Sequence, residues 1–343
     1  MRFSWHRTAI ALCALAASSA AHGESVEDLY KGKTLTIYSG HSAGGSYSEY
    51  ARFLSRHIAK HIPGQPLPVM KFMPGANGLT VANWIYNAAP KDGLSFAILG
   101  QRMAVESLLA PHDGIKFEGN KFTWLGSMGK QPGVCVTWHA SPVRTLDDAK
   151  QRQVPVGAPA RNAADSIIPR MMNEMIGTKF QVIGGYTGAD IFLAMERGEV
   201  EGRCGVGWVS IKTARPDFIE QKKINVLVQF SVKPSPDLPH VPLLLDLVKD
   251  DDARQALNLF FSPEEIARPF AAPPGVPADR VAALRAAFSK TMNDPDFLAD
   301  AKKAGVEIDA MAGEEVQSFV NNLYATPRPV VERVLPFITG PSR

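Results

Sequence analysis

Short runs of β-type residues alternate with stretches of helical period through most of the chain. Residues 35–38 predict a strand, and Tyr50, Phe53, Leu54, Ile58 and Ile62 then recur on one helix face until Pro63-Gly64 ends the pattern. Ser46 followed by Glu49 has capping-box spacing, which places the helix start near Ser46. Residues 69–72 read as a second strand, 79–86 as a helix and 95–99 as a third strand. This β-α-β-α-β opening predicts a parallel, doubly wound sheet. Further strands are predicted at 122–128, 134–138, 154–157, 180–183, 200–204 and 224–230, with helices between them at 145–150, 165–175, 189–197 and 209–221. From Pro277 the pattern is helical throughout, at 279–292, 295–304, 313–324 and 328–337. Pro-rich connections mark 233–242 and 269–277, and there is no internal repeat. The arrangement predicts an α/β protein of two lobes, each a doubly wound, mostly parallel sheet, with the chain crossing between them twice and ending in a helical tail. The expected division is 24–136 plus 233–343 for the first lobe and 137–232 for the second.

The first 23 residues stand apart from this pattern. Arg2 and Arg7 give a positive start, Thr8 to Ala17 form a short apolar run, small residues follow from Ser18 to Ala21, and the first acid is Glu24. This is the signature of a secretory signal peptide, with cleavage expected between Ala20 and Glu24. The apolar run is too short to span a bilayer, and no later stretch reaches the roughly 18 apolar residues that a span needs. Cys13 follows Leu12, where a lipid-anchor signal wants a small residue, so a lipoprotein is not expected. The expectation is a soluble, exported chain.

Composition narrows the function classes. With 343 residues, 45% of them apolar and 21% charged, the chain is neither low-complexity nor disordered and is long enough for two domains. Lys and Arg number 37 against 34 Asp and Glu; taking away Arg2 and Arg7 leaves 35 against 34. A nearly neutral chain is not a dedicated nucleic-acid binder. The pairs Lys222-Lys223 and Lys302-Lys303 are short and read as solvated helix ends. Two cysteines remain after the leader, Cys135 and Cys204. In an oxidising compartment a bridge between them is expected, stabilising by about 4 kcal/mol; the alternative is two buried free thiols in separate strands. Two cysteines without neighbouring ligands make no zinc site, and no metal or cofactor is called for.

One motif raises an enzyme. Gly40-His41-Ser42-Ala43-Gly44 matches the G-x-S-x-G nucleophile elbow, which would make Ser42 the nucleophile of a secreted serine hydrolase. Against this, the motif comes too early for the preceding strands that such a fold needs. The predicted helix also starts at Ser46, four residues past Ser42, rather than at the serine. Ser42 to Ser48 fit a backbone site better. Gly44 and Gly45 let main-chain N–H groups approach a ligand, and a helix start offers unpaired donors to a carboxylate. Without a following Gly-Lys-Ser/Thr this is not a phosphate-binding P-loop. His57 and His61 lack the intervening Glu of a zinc helix and read as packed or half-exposed histidines. Met171, Met172 and Met175 read as core.

Several segments together resemble a known family. The first strand with Ala43-Gly44-Gly45 and Ala51-Arg52 resembles the opening of the extracytoplasmic receptors of tripartite tricarboxylate transporters, the Bug or TctC-like family. Pro74-Gly75-Ala76-Asn77-Gly78 with Asn87-Ala88-Ala89-Pro90-Lys91-Asp92-Gly93 is similar to a second signature. Gly185-Tyr186-Thr187-Gly188 with Ala194-Met195-Glu196-Arg197-Gly198-Glu199-Val200-Glu201 is similar to a third, and Ala272-Pro273-Pro274-Gly275-Val276-Pro277 to the return segment. The four stand in order over nearly the whole chain after the leader. The resemblance implies a two-lobed periplasmic binding-protein fold (type II-like) that closes over a carboxylate held by backbone amides of two opposed loops. By position these are His41, Ser42, Gly44, Gly45, Ser46 and Tyr47 in the first lobe, and the segment from Ala158 through Arg161 and Asn162 to Asp165 in the second. Tyr186, Thr187 and Gly188 would line the cleft from the second lobe. Gly205 stands where many members have an Asp near the ligand, which disfavours amino-acid-like ligands; Ser48 and Ser42 also depart from common family residues.

The residues themselves add candidates. Arg102 follows a strand end, at the edge where open α/β sheets bind ligands, and could pair with a carboxylate. Arg161 is a weaker candidate, and Arg203 reads as structural. Trp138 and Trp208 are an aromatic wall or core, and His41 is an anion donor or a shaper of its loop. The leading reading is a monomeric receptor that takes a small carboxylate and presents it to membrane permease subunits. The alternatives are the Ser42 hydrolase and a receptor that docks on a signalling ectodomain.

Overall fold

The computed structural model describes residues 25–339 except 45, 162 and 189. The expected leader at 1–23 and its cleavage point up to Glu24 lie outside the described residues.

Among the described residues eleven strands form two sheets. The strands are β1 (Thr34–Ser39), β2 (Leu67–Phe72), β3 (Ser95–Ile98), β4 (Thr123–Ser127), β5 (Gly133–Trp138), β6 (Val154–Gly157), β7 (Phe180–Ile183), β8 (Gly202–Gly207), β9 (Ile224–Phe230), β10 (Pro269–Ala272) and β11 (Met311–Ala312). The first sheet has the order β11-β4-β10-β3-β1-β2, the second β7-β6-β8-β5-β9. In the first, β2, β1 and β3 are parallel, and β10 lies antiparallel to both β3 and β4, so β4 again runs with β3. In the second, β7, β6 and β8 are parallel, and β5 lies antiparallel to both β8 and β9. Most strands of each sheet therefore point one way, yet each sheet is mixed: β10, inserted, and β11, at the edge against β4, are reversed in the first, and β5 in the second. The helical tail is present at Ala278–Met292, Pro295–Lys303, Gly313–Tyr324 and Arg328–Thr339.

Three sequence expectations need correction. The stretch 269–277 was expected as a connection, but its first four residues are β10, in the middle of the first sheet. All four are buried, so the strand shows no polar alternation, and Pro269 sits at its first position, where a proline is tolerated. The first crossing between lobes was expected after residue 136. Gly133–Trp138 pairs along its length with β8 and β9, so the chain crosses earlier, between β4 and β5. The helix expected at 209–221 is two helices, Trp208–Ala214 and Pro216–Glu220, because Pro216 disfavours helical geometry at Arg215.

Strand alternation sorts the core. Phe96, Ile98 and Phe270 face helices Ser46–His57 and Ala278–Met292, where they pack with Phe53, Leu54 and Phe288. Ala97 and Ala271 face the other side, with Val81, Ile85, Val316 and Val320. His57 and His61 lie at the end of this first helical segment and bind carboxylates of the tail. Their Nε2 atoms are 3.1 Å from Asp300 Oδ2 and 2.7 Å from Asp294 Oδ2. Among the described residues no group of three His, Cys, Asp or Glu could hold a metal ion, and no helix is long and apolar enough to cross a membrane.

The two crossing segments run side by side. Met128 N donates to Arg268 O (3.1 Å), Ala267 N to Gly129 O (2.9 Å) and Gln131 N to Glu264 O (2.9 Å). A second link, the ion pair of Lys212 with Glu307, joins the helix after β8 to the tail.

Cys135 and Cys204 are register partners in β5 and β8, fully buried and joined by a disulfide across 69 residues. The double variant Cys135→Ala/Cys204→Ala is expected to keep the sheet order and lose about 4 kcal/mol of unfolding free energy. Urea midpoints measured by circular dichroism check this, and an unchanged midpoint would contradict it.

Candidate functional site

A cavity of about 330 Å³ opens between the two sheets. The first sheet lines it with His41, Ser46 and Tyr47 beyond β1 and with Gly100 to Met103 beyond β3. The second sheet contributes Gly133, Ala164, Ile168, Gly205, Gly207 and Ser210, and the crossing segments contribute Gln131, Glu264 and Arg268. Phe230, Phe260 and Phe261 complete the wall. Strand ends meeting a crevice are where open α/β sheets take ligands.

The loop after β1 is held by a closed ring of hydrogen bonds. His41 N donates to Ser39 Oγ (3.2 Å), Ser39 and Ser48 hydroxyls share a 2.8 Å bond, and Ser48 Oγ donates to His41 O (3.3 Å). Both serines are fully buried. The ring turns the His41 imidazole onto Tyr47, stacked with centroids 4.4 Å apart. Burial, and then the Arg268 charge, hold the His41 pKa below its ordinary value, so the ring is neutral at neutral pH. Ser46 is the first residue of its helix, one place inside the cap position that the Ser46/Glu49 spacing predicts.

The remaining expected residues divide. Arg102 lines the cavity, with its guanidinium 5.0 Å from the centre of the Phe260 ring. Ser42 and Gly44 are exposed and outside the lining. Gly45 and Asn162 lie outside the described residues. The expected second loop reaches the cavity at Ala164, the first residue of helix Ala164–Ile176. Ala158 is elsewhere: its N–H donates to Ile183 O (2.9 Å) and its carbonyl accepts from Tyr186 N (3.3 Å). Arg161 is exposed and gives only its carbonyl, to Arg170. Tyr186, Thr187 and Gly188 do not line the cavity either. The Thr187 hydroxyl donates to Asp190 Oδ2 (2.6 Å), Tyr186 packs into the second-sheet core, and Gly188 O accepts from Arg203. Arg203 is structural, paired with Asp165 at 2.6 Å, and Trp138 and Trp208 belong to that core.

Sequence reasoning missed the floor of the cavity. Arg268 is 5% exposed, lies between the Tyr47 and Tyr50 rings, and donates from Nη1 to Gln131 Oε1 (2.7 Å). Its Nε has no partner, and no carboxylate among the described residues lies within ion-pair distance of Arg268 or Arg102. Gln131 passes the contact on, donating from Nε2 to Ser210 Oγ (2.9 Å) on the second lobe. Gln101 Nε2 donates to Glu264 Oε2 (2.7 Å), and Tyr47 OH to Gln101 Oε1 (3.2 Å). No motif marks these residues. They sit in turns and crossings, and only the pairing of the two crossings brings them together.

Two glycines make room. A Cβ on Gly205, at φ +97°, would meet the backbone of Ala164 and Asp165 at 2.9 Å, and one on Gly207 would overlap Gln131 Nε2. The bare backbone lets the start of helix Ala164–Ile176 and the Gln131 amide close on the cavity. Two helix starts, at Ser46-Tyr47 and Ala164, thus bring positive dipole ends beside two arginines.

Burial pushes the Glu264 carboxyl up to about 7, against the lowering effects of Arg102, the Gln101 hydrogen bond and Arg268. The folded chain then keeps a proton that the unfolded chain releases near pH 4.5, so stability falls as pH rises from there through about 7. Glu264→Gln is expected to remove this fall. Urea midpoints of both proteins at pH 4.5 and pH 8 check it; a constant gap between them at both pH values contradicts it.

The family model described as the tripartite tricarboxylate transporter family receptor matches residues 50–335. No curated protein matches the chain. A TctC solute-binding protein from Polaromonas, solved without ligand, is similar at 18% identity and TM-score 0.67, covering 89% of this chain and 99% of that one. R. palustris Rpa4515 with adipate is similar at 17% identity and TM-score 0.62, covering 88% and 97%. MatC from Rhodopseudomonas palustris with bound malate is similar at 19% identity and TM-score 0.58, covering 87% and 99%. At these identities the likeness is one of fold.

Proposed function

This chain belongs to the family of tripartite tricarboxylate transporter receptors, and from that premise we propose that it captures a small carboxylate in the cavity between its lobes and delivers it to a membrane permease. The observation that carries the reading is the pair Arg102 and Arg268. Both line the cavity, and neither is ion-paired with a carboxylate of the described residues. A guanidinium buried like Arg268 is costly unless a counter-charge or strong acceptors face it. A ligand carboxylate supplies that charge, with the two helix starts as further donors. The adipate- and malate-bound relatives support the class of ligand.

The chain acts in the periplasm, exported by the leader at 1–23 and cut between Ala20 and Glu24, and works as a monomer. Its first lobe is the chain before the first crossing and after the second, its second lobe is the chain between them, and the two close on the ligand by bending at the crossings. We read it as a receptor without catalytic activity, in which Ser42 stands exposed and outside the cavity lining. Purified chain is expected to turn over no ester, with or without Ser42→Ala.

A melting panel of mono-, di- and tricarboxylates tests the reading. A ligand present at a thousandfold over Kd is expected to stabilise the chain by about 4 kcal/mol, a shift of several degrees. Arg102→Ala is expected to weaken the best ligand by about 1.5–3 kcal/mol, roughly 10- to 150-fold in Kd. A panel without any shift, before and after denaturing and refolding to strip retained ligand, would overturn the receptor reading.

A further inference from the structure

Glu264 is an acid in a cavity otherwise built for an anion. It stands in the short turn Ser262–Ile266 at the cavity floor and accepts a hydrogen bond from Gln101 through Oε2 alone. Charged and titratable groups face it from two sides, because Glu264 also borders a second cavity lined by Tyr50, Lys130, Lys233, Asp237, Glu307 and Asp309. Arg102 stands with Gln101 on the turn beyond β3, Arg268 and Glu265 are on its own segment, and Tyr47 and the neutral His41 come from the loop after β1.

A carboxylate entering beside Arg102 and Arg268 meets this second carboxyl group. Two like charges in one partly desolvated cavity do not both stay ionised, and one of them takes a proton. Glu264 Oε2 accepts from Gln101, and its other oxygen, Oε1, is the one left to carry that proton on a side chain that lines the cavity. Resting on the carboxylate reading above, we propose that Glu264 sets the charge the cavity accepts: it binds a proton as the ligand arrives and donates it in a hydrogen bond to a ligand carboxylate oxygen, so that each anion is captured together with a proton. The proton comes from solvent, and no covalent bond of the ligand changes. The Glu264 carboxyl is already held near neutrality in the free chain, at about 7, so the uptake falls within the range in which an exported protein works.

Capture through the protonated form alone makes the apparent Kd scale inversely with the protonated fraction. With a group titrating at about 7, Kd is expected to rise about tenfold from pH 6 to pH 8. Isothermal titration of the full mature chain with adipate and with malate, in phosphate and in Tris at pH 7, reads the uptake directly, at about half a proton per ligand. Glu264→Gln is expected to lose both the buffer-dependent heat and the pH slope. The measurement on the wild type stands even if that variant fails to fold. Binding with buffer-independent heat and a Kd that is flat with pH overturns the proposal and leaves the receptor reading intact. A slope that persists in Glu264→Gln also overturns it and assigns the proton to His41. If adipate, malate and the rest of the carboxylate panel fail to bind at millimolar concentration, the receptor reading falls, and this proposal with it.

Discussion

A guanidinium without a carboxylate partner is held at the point where the two lobes join. Arg268 sits at the entry to β10, hydrogen-bonded through its backbone to the other crossing segment and sandwiched between Tyr47 and Tyr50. Aromatic faces and the Gln131 carbonyl partly replace water around the charge, yet its Nε remains without a partner. The surrounding structure serves this position. The paired crossings fix the backbone, the ring of Ser39, Ser48 and His41 fixes the loop that carries Tyr47, and the inserted β10 brings Arg268 to the middle of the first sheet.

The two lobes approach this charge by different means. In the first, the helix Ser46–His57 starts beside the cavity because an apolar stripe at helical period ties it to the sheet. In the second, the start of helix Ala164–Ile176 comes close because β8 has no side chain at Gly205. An Asp at this position would collide with that helix start. With glycine there, the charged side chains of the cavity are those of its floor, Arg102, Arg268 and Glu264.

The legible part of the fold was the part set by local pattern. Helical period and turn residues located the tail helices and most strands, since both act over a few residues. β10 was not legible: buried on both faces and four residues long, it carries no alternation, and its partners lie about 140 to 170 residues away in sequence. The same reason divides the site. Arg102, His41 and Tyr47 follow strands and could be placed by the rule of strand ends. Gln131, Glu264 and Arg268 meet only through pairing of the crossings, and Ala158 and Tyr186 are spent on holding their own loops to each other. Family position places loops, but which face of a loop reaches the cavity depends on hydrogen bonds that position does not encode.

Gln131 gives the joint between the lobes a further property. Its carbonyl accepts from Arg268 in one lobe while its amide donates to Ser210 in the other. A side-chain strut of this kind keeps its length only over a narrow range of angles. Spreading the lobes must break one end or drag the amide away from the arginine, and either change alters how much of the guanidinium is left for a guest. The angle between the lobes and the strength of the electrostatic field in the cavity are therefore not separate quantities. Opening of the lobes would, through this one amide, also change the charge left for a guest.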